Sequence, residues 1–112
     1  MKNKLKLVLW GKKLELPENY DNLEFDKYEL NLNILSIYKN NEVIKLIWYW
    51  ENGNKYHEIN YKNGKLDGKQ YWRYEDGKLM HEFNYKNGKN MENNIDGVMM
   101  ENYIMNGFLN EK

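Results

Sequence analysis

Residues 48–65 read WYWENGNKYHEINYKNGK, and residues 72–89 read WRYEDGKLMHEFNYKNGK. The second stretch repeats the first at an offset of 72 − 48 = 24 residues, and the positions that recur are aromatic, acidic or turn-forming. A fixed period between about 20 and 50 residues is typical of proteins built from stacked structural units. The sequence therefore predicts two tandem units, preceded by a weaker one that ends near residues 38–41 and followed by a degenerate one.

Each unit carries the turn signals of a β-hairpin. Asn-Gly and Asp-Gly pairs favour two-residue hairpin turns, because both central residues of such a turn need positive φ. Structural turns are therefore predicted at Gly53, Gly64, Gly68, Gly77 and Gly88. Between them lie strand-length segments rich in aromatic and branched residues, at 43–50, 55–62, 69–75 and 78–86. Apolar and polar residues alternate along these segments, which is the period of a half-buried antiparallel strand.

These patterns predict an all-β fold. The expected architecture is an elongated single-layer antiparallel sheet of stacked hairpins, one for each repeat of about 24 residues, with atypical capping segments at both ends. We expect one repeat domain over residues 1–112, divided into N-terminal capping strands (1–40), two clear repeats (41–90) and a degenerate repeat or C-terminal cap (91–112). The pattern leaves open whether the last segment forms a hairpin, a short helix or a tail.

Composition limits the classes of partner and location. Lys plus Arg number 17 and Asp plus Glu number 17, so the net charge is zero and no field favours nucleic acid or an anionic membrane. The chain has no cysteine, which fits a reducing compartment. No apolar run approaches the about 20 residues of a membrane helix. The abundance of Asn, Lys and Tyr is typical of an AT-rich genome. We therefore expect a cytoplasmic protein, bacterial or, if viral, in the host cytoplasm, and peripheral lipid contact stays open.

The residues capable of chemistry are few. His57 and His81, the only two histidines, occupy equivalent positions in the two units. At about 4.8 Å per strand they should lie about 9.6 Å apart, too far to share a zinc ion bound at about 2.1 Å unless their side chains converge. Ser36 is the only serine and falls in a predicted strand. The acidic residues that recur with the repeat, Glu51, Glu58, Glu75 and Glu82, are expected before turns or on a polar sheet face opposite lysines. We predict no catalytic residue, no metal ligand and no cofactor, and hence a protein that is not an enzyme.

Trp and Tyr residues at 48–50 and 71–74 form the densest aromatic cluster. Aromatic side chains anchor protein interfaces and stack on ligands, although a single-layer sheet also uses them for its own packing. The predicted binding face comprises Tyr49, Trp50, Tyr71 and Tyr74, together with Met99 and Met100 of the Met-rich C-terminal segment. Trp48 and Trp72 are expected to be packed.

The aromatic pair before each acidic turn, the Tyr-Lys-Asn-Gly-Lys block and the 24-residue period, over residues 44–90, resemble the MORN-variant repeat family. The resemblance implies open, ribbon-like antiparallel sheets that bind or scaffold rather than catalyse. Some members are linked to membrane phospholipid, and many bacterial members of the variant type are labelled antitoxin components. The expected function is a protein-interaction or scaffold module whose partner is another protein or a second copy. The alternatives are an antitoxin or immunity-type protein that neutralises a toxin, and a carbohydrate or lipid-headgroup binding module.

Overall fold

The computed structural model describes residues 4–91. The predicted C-terminal cap beyond residue 91, with Met99 and Met100, lies outside them. Ten β-strands and one turn of 3-10 helix, Tyr20–Asn22, account for the regular structure of the described part. The strands are β1 (Val8–Leu9), β2 (Lys12–Lys13), β3 (Lys27–Asn31), β4 (Ile34–Lys39), β5 (Glu42–Tyr49), β6 (Lys55–Lys62), β7 (Lys65–Leu66), β8 (Gly68–Arg73), β9 (Leu79–Lys86) and β10 (Lys89–Asn90).

The strands from β3 to β10 form one open antiparallel sheet. Its order is β10-β9-β8-β6-β5-β4-β3, and β7 pairs with β6 beside this path. Each neighbour in the order β3 to β6 is also the next strand in the chain, and β8 and β9 form a further hairpin. The all-β prediction is confirmed, as are the four predicted repeat strands to within two residues at their ends.

Two-residue turns close five of the strand pairs, and three of these turns are Asn-Gly or Asn-Asn pairs. Asn63 and Gly64 have φ of 54° and 79°, and Asn87 and Gly88 have φ of 52° and 86°, as the Asn-Gly prediction requires. Each of these turns leads into a two-residue strand, β7 after the first and β10 after the second. The β4–β5 turn uses the same geometry at residues 40–41, where a second asparagine takes the place of glycine.

The turns at Gly53 and Gly77 are of a different type. Only the glycine of each pair has positive φ, 95° at Gly53 and 93° at Gly77. The N–H of Gly53 donates to the carbonyl of Trp50 at 3.0 Å, and the N–H of Trp50 donates to the carbonyl of Asn54 at 2.8 Å. This is a three-residue loop with a left-handed glycine, accompanied by a register shift between Trp48 and the next residue. The predicted turn positions are therefore right, but the predicted two-residue type is wrong at both.

The N-terminal segment folds over one face of the sheet. Its two short strands pair only with each other, around a turn at Gly11, and a tight bend follows Pro17. The buried cluster joins this segment to strands β4 and β5 and consists of Leu7, Leu14, Phe25, Leu35, Ile37, Ile47 and Tyr49. Of the predicted N-terminal cap, residues 4–26 form a layer over one face, whereas β3 and β4 are the last two strands at one edge of the main sheet. No helix in the described residues is long and apolar enough to cross a membrane.

Candidate binding surfaces

The face of the sheet opposite the N-terminal segment carries a row of aromatic rings. Trp48, His57, Trp72 and His81 are consecutive cross-strand partners on β5, β6, β8 and β9. We call this row the Trp–His ladder. The rings of Trp48 and His57 lie 5.3 Å apart at 25°, and those of His57 and Trp72 lie 3.5 Å apart at 17°. The ladder follows directly from the 24-residue offset, which sets a tryptophan and a histidine at matching positions of successive hairpins.

The packing around His57 determines its protonation state. Both faces of its ring are covered, by Trp48 and by Trp72. Burial lowers the pKa of His57 to about 4, so its imidazole is neutral at pH 7. Trp72 stands between His57 and His81, as the predicted two-strand separation requires. Residues 4–91 contain no group of three side chains that could hold a metal ion.

The ladder lies in a wider apolar surface. Ile34 and Leu46 flank Trp48, Ile59 follows His57 by two positions, and Phe83 stacks on His81 at 5.9 Å. These four flanking side chains are half-buried rather than buried. We call the ladder and these four residues the open face, because no described element forms a second layer over it.

At one end of the open face the aromatic rings are held by specific contacts. Trp50 packs on Tyr56 at 4.6 Å, and Tyr56 meets Trp72 edge-on at 5.6 Å. The indole N–H of Trp50 donates to the carbonyl of Arg73 at 3.1 Å. Trp50 is therefore half-buried and fixed in place at the rim of the surface.

The predicted binding residues do not share one face. Tyr49 is 2% exposed beneath the N-terminal segment, where its hydroxyl donates to the carbonyl of Glu15 at 2.7 Å. Tyr71 lies on the same side of the sheet, half-buried, while Tyr74 is exposed in a loop. Neighbouring strand residues point to opposite faces, so Tyr49 and Tyr71 are on the covered side because the adjacent tryptophans are on the open one. Tyr49 cannot contact a partner in this fold, so its place in the predicted binding face is wrong. Trp48 and Trp72 are packed as expected, each on one side of His57, although both stay half-buried.

The covered face contains a network of charged side chains. Glu58, 1% exposed, lies 2.8 Å from the Nζ atom of Lys45 and 3.1 Å from that of Lys55. Its Oε2 also accepts the backbone N–H of Glu18 at 2.9 Å. The Glu18 carboxylate reaches Lys55 at 3.3 Å and Arg73 at 3.1 Å. These contacts attach the N-terminal segment to β5, β6 and β8, so the network is structural.

Neighbouring lysines and hydrogen bonds keep the Glu58 carboxyl ionised. Burial alone would raise the pKa of the Glu58 carboxyl, but the attraction of Lys45 and Lys55 and the hydrogen bonds from Lys45 and from the Glu18 backbone outweigh it. The pKa is therefore below its ordinary value, and the group is a carboxylate at pH 7. The prediction that Glu58 and Glu82 face lysines holds for both. Glu82 lies 3.4 Å from Lys69 near the surface, whereas Glu58 is buried, which sequence reasoning missed.

A polar cleft of about 550 Å³ opens beside this network. Its walls include Glu18, Lys45, Asn60, Lys69 and Tyr71. None of the described lining residues is a histidine, serine or cysteine. The cleft presents charged and hydrogen-bonding side chains to solvent.

Gln70 has a role that no sequence pattern indicates. Strand β8 pairs with β6 only at residues 57–58, because β7 occupies residues 61–62 of β6. In the gap, the Gln70 side chain, 3% exposed, accepts the N–H of Asn60 at 2.9 Å and donates to its carbonyl at 3.2 Å. The side-chain amide thus replaces a backbone partner. A lone glutamine within an aromatic strand gives no periodic signal for such a role.

The chain was compared with protein-family models, with curated proteins and with solved structures, and no match was found in any of the three.

Proposed function

We propose that this chain is a non-enzymatic protein-binding module of the MORN-like type, whose partner packs on the open face of the sheet. The observation that carries the proposal is the asymmetry of the two faces. One face is covered by the N-terminal segment, while Trp48, Trp72 and Phe83 stay half-exposed on the other. Contiguous apolar surface left accessible to solvent marks interaction sites, and tryptophan is enriched at their energetic centres.

The orientation of the rings favours a protein partner over a sugar or a nucleobase. Sugars and bases stack on the flat face of an aromatic ring. In the Trp–His ladder, Trp48 and Trp72 stack on opposite faces of His57. Both faces of His57 and one face of each tryptophan are therefore covered. The ladder therefore leaves few free ring faces for a sugar or a base, and its aliphatic neighbours suit the side chains of another protein.

The same geometry supports a role without catalysis. His57 is enclosed between two rings, and its lowered pKa of about 4 leaves it uncharged over the physiological range. Ser36 lies in β4 opposite Leu46, one strand from the edge of the sheet, and has no histidine as a cross-strand partner. An antitoxin or immunity-type role is a special case of protein binding and would use the same surface, with a toxin as the partner.

The test compares two substitutions on one strand. Phe83 and Asn84 are neighbours on β9 and point to opposite faces, so Phe83→Lys places a charge on the open face and Asn84→Lys places it on the other. The wild-type chain is first used to isolate its partner from the native source, and the partner is then titrated against each variant. We expect Phe83→Lys to weaken binding by at least about tenfold, and Asn84→Lys to leave it unchanged.

Thermal melting of both variants separates lost binding from lost folding. Ile59→Lys, on β6, provides a second open-face variant if Phe83→Lys does not fold. If the partner is a second copy of the chain, the same comparison is made on the monomer–dimer equilibrium by sedimentation. Equal affinity of the open-face and control variants would overturn the proposal.

A further inference from the structure

The chain contains the same hexapeptide, Asn-Tyr-Lys-Asn-Gly-Lys, at residues 60–65 and 84–89. In both copies the Asn-Gly pair forms the two-residue turn that ends a hairpin, with φ values that agree within 7°. All four turn residues are exposed. The two sites are therefore matched in local sequence, backbone conformation and solvent access.

The turns at Asn63-Gly64 and Asn87-Gly88 differ in the hydrogen bonds that their backbone N–H groups make. The backbone N–H of Gly88 donates to the carbonyl of Leu66 at 2.7 Å, and the N–H of Asn87 donates to Asp67 at 3.2 Å. Both acceptors belong to the segment that follows the first turn, so the first unit holds the second turn in place. Within residues 4–91 the N–H of Gly64 donates to no protein acceptor.

We propose that Asn63 is a site of spontaneous modification by deamidation, and that the contact with Leu66 protects Asn87 from the same reaction. The backbone nitrogen of Gly64 loses its proton and attacks Cγ of Asn63. The new N–Cγ bond forms as the Cγ–Nδ2 bond breaks and ammonia leaves, which closes a succinimide ring. Water then opens the ring at either carbonyl and gives aspartate or isoaspartate. The reaction needs only water, and glycine suits the attacking position because it has no side chain to obstruct the approach.

Protection of Asn87 follows from the same chemistry. The attacking nitrogen must give up its proton and turn toward the side chain, so a hydrogen bond from Gly88 to Leu66 must break first. One ordinary hydrogen bond corresponds to a factor of about five in an equilibrium. A third pair, Asn52-Gly53, is protected further. The N–H of Gly53 donates to the carbonyl of Trp50, and the side-chain amide of Asn52 both donates a hydrogen bond through Nδ2 and accepts one at Oδ1.

Deamidation changes a defined part of the surface. Aspartate or isoaspartate at residue 63 adds a negative charge between Lys62 and Lys65, and the net charge falls from zero to −1. Isoaspartate also inserts an extra backbone atom into the two-residue turn between β6 and β7. Lys62 lines the polar cleft, so the modified turn also alters the rim of that cleft.

The experiment measures both sites in one chain. The folded protein is incubated in mildly alkaline buffer, sampled over time and digested, and deamidation at each Asn-Gly pair is followed by mass spectrometry and by isoaspartate-specific methyltransferase labelling. We expect Asn63 to react about fivefold faster than Asn87. Repeating the incubation in denaturant supplies the control, since identical hexapeptides should then react at similar rates.

Two results would overturn the proposal. Equal rates at Asn63 and Asn87 in the folded chain would show that the Leu66 contact gives no protection. A preference for Asn63 that persists unchanged in denaturant would show that the difference does not come from the fold. An Asn63→Gln variant should lose the fast appearance of the acidic species on isoelectric focusing, and its persistence would place the reaction elsewhere.

Discussion

Replacing Glu58 by glutamine should destabilise this fold more than any other single neutralisation of a carboxylate among the described residues. The substitution keeps the shape of the side chain and removes its charge. The side chains of Lys45 and Lys55 are only 6% and 7% exposed, so both ammonium groups depend on protein partners. Lys55 retains Glu18 at 3.3 Å, whereas Lys45 makes its ion pair in residues 4–91 with Glu58 alone.

The expected cost is about 3 kcal/mol. Removing one partner of a buried ion pair costs about 3–5 kcal/mol, because the other charge is left without compensation in a poorly solvated site. The lower end applies because the glutamine oxygen can still accept a hydrogen bond from Lys45. A loss of this size is a large fraction of the about 5–15 kcal/mol that stabilises a typical domain.

Urea unfolding followed by tryptophan fluorescence measures this loss as a shift in midpoint at constant slope. The matched control is Glu82→Gln, which removes a carboxylate 3.4 Å from Lys69 at the surface and should cost under about 1 kcal/mol. The double variant Lys45→Met/Glu58→Gln should recover a substantial part of the loss, since no unpaired ammonium remains. If Glu58→Gln cost no more than Glu82→Gln, the buried network would not stabilise the fold as argued.

The pH dependence gives an independent check on Glu58. Its pKa in the folded chain is below the ordinary value of 4.5. The unfolded chain therefore binds the proton more readily, and the stabilisation is fully present above about pH 4.5 and is lost as the pH falls through the folded pKa. Glu58→Gln should remove this part of the acid sensitivity. If the free energy of unfolding of the variant fell as steeply as that of the wild type below about pH 4.5, the effect would not come from Glu58.

Three further predictions concern single positions. Gln70→Ala should lower the free energy of unfolding by about 2 kcal/mol, because both backbone groups of Asn60 lose a partner; a urea midpoint equal to that of the wild type would refute the bridging role. The pKa of His57 in the folded chain is about 4, so stability should decrease as the pH falls from about 6.5 towards 4, and His57→Asn should flatten this slope. An equally steep slope in that variant would assign the effect to another group. Gly53→Ala should lower Tm more than Gly77→Ala, since a Cβ at Gly53 would lie 2.6 Å from a backbone carbonyl of β2, whereas its nearest neighbour at Gly77 is 3.9 Å away. Equal melting temperatures would show that the N-terminal hairpin is not docked against this loop.

The elements of the sheet were predictable from sequence because their causes are local. Alternation of side chains and Asn-Gly chemistry act within a few residues, so the strands and the turns at Gly64 and Gly88 follow from pattern alone. The covered face was not predictable. Alternation shows that Trp48 and Tyr49 point to opposite sides, but the side that is covered depends on where the N-terminal segment folds, which is a long-range packing choice.

Contacts between distant segments account for the other misses. The buried carboxylate of Glu58 needs Lys45 from another strand and the backbone of Glu18 from the N-terminal layer. The three-residue loops come from register shifts after Trp48 and Trp72, which depend on the pairing of whole strands rather than on the loop residues.

The Trp–His ladder has a length that depends on the number of 24-residue units in the chain. Each 24-residue unit contributes one tryptophan and one histidine at fixed register, and each of these residues pairs only with those on the neighbouring strands. A tandem duplication in the gene of the codons for residues 66–89 would therefore add one step to the stack without altering an existing side chain. Gain or loss of whole units would lengthen or shorten the Trp–His ladder in fixed steps, and so adjust the span of the open face independently of its chemistry.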